Sequence, residues 1–125
     1  MAEVKKTFDL YPWHDAELVS INIDRSSPGR TDRICLVMNW SHPKKKVVFD
    51  DVYRAMFYMN FGVITGEHGE PIFSASEKSS GDEEVSRLYE DWKHRIDDIP
   101  LFCYEIIGAS TNSKVSIISK GFHLE

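Results

Sequence analysis

The segment Ile34-Cys35-Leu36-Val37-Met38-Asn39-Trp40 restricts the possible folds of this chain more than any other stretch. Ile34, Leu36, Met38 and Trp40 alternate with Cys35, Val37 and Asn39, so a strand here is apolar on nearly both faces. Such a strand needs cover on each side, as a central strand has. Pro43 ends it, and a chain of 125 residues, 42% apolar, has to supply that cover within one domain.

The flanking segments offer further strands. Val19, Ile21 and Ile23 alternate with Ser20, Asn22 and Asp24, which predicts a strand over about 17–24 with one buried face. Ser26-Ser27-Pro28-Gly29-Arg30 then turns the chain: Pro28 presets φ and Gly29 accepts a positive one. After the basic turn Lys44-Lys45-Lys46, a third strand covers 46–50. The stretch from Val52 to Gly62 is ambiguous. Positions 52, 55, 56 and 59 suit a helix, whereas the aromatic content and the alternation 57, 59, 61 suit a strand, and we read a strand. Gly62, Gly66, Gly69 and Pro71 make 62–71 rich in turns, with Ile72-Phe73 as a short edge strand or an anchored loop.

Ser80 and Glu83 have the spacing of a capping box. Beyond them Val85, Leu88, Trp92, Ile96 and Ile99 line one face of a helix that Pro100 stops, and Glu83/Arg87 and Asp91/Arg95 are i,i+4 pairs on the outside. The end of the chain, Leu101 to Ile107 and Lys114 to Phe122 joined by 108–113, reads as a hairpin. The expectation is an α+β domain: a mostly antiparallel sheet of about five or six strands with one long amphipathic helix packed on a face. The domain spans 1–125, with a flexible N-terminus of about 1–10 and Leu124-Glu125 resembling a tag remnant.

Neither a signal-peptide core nor the roughly 20 apolar residues of a membrane span is present, which places the protein in the cytoplasm and Cys35 and Cys103 in the core as reduced thiols. Phosphate-binding glycine loops, C-x-x-C, H-E-x-x-H and G-x-S-x-G are all absent, so no catalytic residue, metal or cofactor is expected. One run of three lysines in a chain of net charge −5 does not make a nucleic-acid surface.

Two groups of residues remain as candidates. From Asp82 to Asp98 seven carboxylates face three cations, so four of the five excess negative charges lie on the expected helix. Asp97 and Asp98 would fall in its last turn, where carboxylates oppose the macrodipole by about a few tenths of a kcal/mol each. Otherwise the helix ends at Ile96 and both are loop residues. An acidic strip around Glu84, Glu90, Asp91, Asp97 and Asp98 would speed association with a basic protein and reject others. The second candidate is a ligand or hydrolase site built from His14 and Asp15, in Trp13-His14-Asp15-Ala16-Glu17-Leu18, with Glu67 and His68 of the loop Glu67-His68-Gly69-Glu70. Its bland counterpart is a bend at the start of a strand, with Trp13 packed beneath.

The entry Trp13 to Leu18 with its strand, Phe49-Asp50-Asp51-Val52, Met59-Asn60-Phe61-Gly62, and Tyr104-Glu105-Ile106 with Thr111-Asn112-Ser113 resemble a group of small bacterial proteins of unknown function. These are similar to single-domain immunity proteins of polymorphic toxin systems. The resemblance implies a non-enzymatic cytoplasmic protein that neutralises a toxin by binding it, and carries over no catalytic residues. A basic nuclease as partner is a physical inference from the acidic helix. Self-association is a third expectation, from the aromatic run Phe57 to Phe61.

Overall fold

The computed structural model describes residues 8–30, 32–40, 44–62, 69–79 and 82–125. Six strands are formed: β1 (Ala16–Asp24), β2 (Arg33–Trp40), β3 (Lys44–Tyr58), β4 (Glu70–Lys78), β5 (Phe102–Gly108) and β6 (Lys114–Leu124). One helix, α1 (Glu83–Asp91), lies between β4 and β5. All strand pairings are antiparallel, in the order β1-β2-β3-β6-β5-β4, and the pairs Glu17–Pro71 and Leu18–Glu70 close β4 onto β1. The expected α+β domain is therefore corrected to a closed barrel, with 56% of the described residues in strands. The long helix is reduced to nine residues.

Closure answers the demand that β2 makes. Ile34, Leu36 and Met38 point into the lumen and are buried, while Cys35 and Val37 alternate with them and are half-buried. Six strands leave no open channel, and the lumen is filled by side chains: Val47 and Phe49 of β3, Tyr104 and Ile106 of β5, and Val115, Ile117 and Phe122 of β6. One end is corked by the chain's own entry. Phe8 is fully buried, its ring 4.5–6.3 Å from those of Trp13, Tyr104, Phe122 and Phe49. The Trp13 indole donates to the Phe8 carbonyl at 2.7 Å, and the Trp40 indole to that of Pro12 at 2.8 Å. Phe8 thus lies inside the span expected to be flexible. At the other terminus, Glu125 and Lys46 exchange both backbone hydrogen bonds at 2.9 Å, so the expected tag remnant continues the sheet.

The segments expected as separate strands over 46–50 and 52–61 join in one 15-residue strand, Lys44–Tyr58, which ends before Met59. Asp51 takes φ of +53°, and the register against β6 slips between Val52 and Arg54. Such a bulge reverses the in–out phase. Here the phase changes twice, at Asp51 and at the slip: Val47 and Phe49 face inward before, Val52 between the two, and Ala55, Phe57 and Met59 after. The spacing of three between 52 and 55, which imitates a helix, is the signature of that slip. β4 is longer than the short edge expected from Ile72-Phe73, because β5 pairs with Ser74 through Lys78.

Helix α1 packs on the outside of the barrel. Val85 and Leu88, with Ile96 and Leu101 beyond the helix, bury Cys103 of β5 and Ile118 of β6. Asp82 caps the helix by accepting the Glu84 amide at 3.0 Å; the expected cap, Ser80, lies outside the described residues. At the other end Lys93 donates to the Glu90 carbonyl (2.8 Å) and His94 to that of Tyr89 (2.9 Å). This pair of bonds is a Schellman ending, which places a left-handed residue just past the helix. Lys93 and His94 have φ of +53° and +59°. Among the described residues no helix is long and apolar enough to cross a membrane.

Candidate functional site

The early end of α1 decides where the acidic residues go. Had the helix continued to Ile99, Asp97 and Asp98 would lie about 11–12 Å along its axis from Glu90, at about 1.5 Å per residue. Instead the chain turns back. Ile96 is buried against the outer core, and the Tyr89 hydroxyl donates to the Ile99 carbonyl at 2.5 Å, tying the returning segment to the helix. Glu90, Asp97 and Asp98 then line one shallow concave surface of about 620 Å³ with Ser86, Tyr89, His94 and Pro100. Asp97 and Asp98 are therefore turn residues, and the macrodipole penalty expected for them does not arise.

The remaining members of the strip are spent within the molecule. Asp91, which does not line the concave surface, pairs with Arg54 of β3 at 2.8 Å, and Glu84 shares Arg87 with Glu83 at 3.4 and 2.9 Å. His94 Nδ1 lies 3.2 Å from Asp97 and holds that carboxylate in place. Of the five carboxylates expected to meet a partner, the fold brings three together and turns two aside. All three are solvent-exposed, so their field acts at short range and weakens with salt.

His14 and Asp15 sit in a short 3₁₀ turn, Trp13–Asp15, with both side chains exposed and no hydrogen bond or ion pair to either among the described residues. Trp13 is buried beneath them. Glu67 and His68 lie outside the described residues, so this candidate is represented only by its first half. Both cysteines are free thiols, Cys103 buried and Cys35 half-buried; loss of hydration pushes both thiols up, away from the thiolate. Among the described residues no group of three or more His, Cys, Asp or Glu side chains is arranged to hold a metal ion.

From the cluster Glu67-His68-Gly69-Glu70, sequence reasoning takes Glu67 and His68 as candidates and leaves out Glu70. Its Oε1 accepts from the Thr111 hydroxyl and from the Thr111 amide at 3.3 Å, which ties the start of β4 to the β5–β6 turn. The only local signal is its place beside Gly69 in an acidic loop.

Comparison with models of known protein families, with curated proteins and with solved structures finds no match.

Proposed function

We propose that this is a non-enzymatic, cytoplasmic binding domain whose acidic concave surface receives a basic protein. The observation that carries the reading is the gathering of Glu90, Asp97 and Asp98 around one hollow by a helix that stops early. Three carboxylates on a convex helix would be spread and well solvated. Gathered on one shallow surface, they add their potentials over the area of one or two lysine or arginine side chains. The resemblance to immunity proteins makes a toxin the candidate partner, and its basicity is what the surface asks for.

The test uses two baits, the wild-type protein and the Glu90→Lys/Asp97→Lys/Asp98→Lys variant, whose exposed substitutions leave the core intact. Each captures proteins from the native cells at low salt and is then washed at high salt. A basic protein held by the wild type, released by salt and missing from the variant is the expected result. Recovery of the same proteins on both baits would remove the acidic hollow from the account.

A further inference from the structure

A second hollow lies at the seam where β4 meets β1, away from the helix. It measures about 410 Å³, and Leu18, Val19, Ile21, Met59 and Phe61 give it apolar walls. That size is within the range of small-molecule sites, roughly 300–1,000 Å³. Phe61 is 83% exposed and Val19 37%, so two rim side chains present apolar surface that the barrel itself does not cover.

The polar side of the hollow is built around Glu70. The Asn60 amide donates to Ser113 Oγ at 2.9 Å, Ser113 Oγ lies 2.6 Å from Thr111 Oγ1, and Thr111 donates to Glu70 Oε1. Every donor in this chain can run in one direction, ending on the Glu70 carboxylate. Gly108 holds open the space: a Cβ there would collide with the Glu70 carboxylate. Asn60 uses one Nδ2 hydrogen on the Thr111 carbonyl at 2.7 Å, which fixes its side chain and leaves its Oδ1 and the other Nδ2 hydrogen. The hollow therefore sets the Glu70 carboxylate, its one charged group, at its base against apolar carbon on its walls. A complementary occupant brings donors and a positive charge on an apolar body.

We propose that this hollow binds a small free amine in its ammonium form, carried on an aromatic or branched aliphatic body, with Glu70 as counter-charge and Phe61 as wall. The site is independent of the acidic hollow on α1.

The probe is 2-phenylethylammonium, titrated into isotope-labelled protein and followed by amide NMR, with 2-phenylethanol as the neutral counterpart. Saturable shifts at Val19, Asn60, Phe61 and Thr111, at least tenfold tighter for the amine, are expected. Glu70→Gln keeps an oxygen for Thr111 and removes the charge, so it should abolish the preference while the Thr111 amide stays near its wild-type position. Phe61→Ala, at an exposed site, should weaken both probes several-fold. Equal binding of amine and alcohol, no saturable shift, or full amine affinity in Glu70→Gln would overturn the proposal. A capped Ala-Lys-Phe peptide that binds more tightly than the free amine would overturn the assignment to a small molecule.

Discussion

Replacing Lys93 by glycine and by alanine separates two accounts of this protein's helix by sign. If residue 93 were helical, as the stripe Val85, Leu88, Trp92, Ile96 and Ile99 implies, alanine would be the better residue by about 1 kcal/mol. With φ of +53° at Lys93, the order reverses. A side chain in the left-handed region costs about 1–2 kcal/mol that glycine avoids, so Lys93→Gly should be more stable than Lys93→Ala by that amount. Both variants lose the same charge, and any favourable interaction of Lys93 with the helix C-terminus cancels between them. For 125 residues, an unfolding entropy of about 2.1 cal/mol/K per residue gives about 260 cal/mol/K, so 1 kcal/mol corresponds to roughly 4 °C in Tm. Scanning calorimetry should place Lys93→Gly about 4–8 °C above Lys93→Ala. A higher Tm for Lys93→Ala would mean that the helix runs on, that Asp97 and Asp98 lie far from Glu90, and that the acidic hollow does not exist.

The remaining predictions concern the barrel. Phe8→Ala empties the cork and should cost about 3–5 kcal/mol in chemical denaturation, a loss that a flexible N-terminus would not show. Gly108→Ala should cost about 1–3 kcal/mol by pushing the Glu70 carboxylate from Thr111, and the loss should be smaller when measured in a Glu70→Ala background. A double-mutant cycle on Arg54 and Asp91 should return only about 0.2–1 kcal/mol, because the pair is exposed at the surface. Burial, then the neighbouring Glu77 carboxylate, pushes the Tyr104 phenol well above its ordinary range. The folded protein therefore keeps that proton while the unfolded chain releases it above about pH 10. Stability should fall by up to about 1.4 kcal/mol per pH unit there, and Tyr104→Phe should remove that component of the slope in pH-dependent urea melts.

Local pattern was enough wherever one face of a segment met the core and the other met water or a second layer. The alternation at 34–40 specifies a strand with its inward face, and Val85-x-x-Leu88 the start of a helix, because side-chain direction follows the period of the backbone. At 19–23 the period specified the strand but not its buried face, since Val19 and Ile23 are exposed and the register against β2 shifts between Leu18 and Ser20. The acidic bias of 82–98 was equally legible, since charge is a property of composition. Closure was not, because β1 meets β4 through residue pairs more than fifty positions apart, and nothing in Glu17-Leu18 or Glu70-Pro71 names the other. Nor was β4 beyond Phe73, where Ser74-Ala75-Ser76-Glu77-Lys78 has little apolar pattern and is a strand because β5 pairs with it. The register slip between Val52 and Arg54 disguised a strand as a possible helix by setting two core-facing residues, Val52 and Ala55, three apart. The end of α1 shows the same division most sharply. Lys93, the first left-handed residue, is a long side chain where glycine is usual, so no local rule puts the turn there. Burial of Ile96 on the barrel wall and the bond from Tyr89 to Ile99 outweigh that cost, and both depend on a wall that exists only once the barrel has closed.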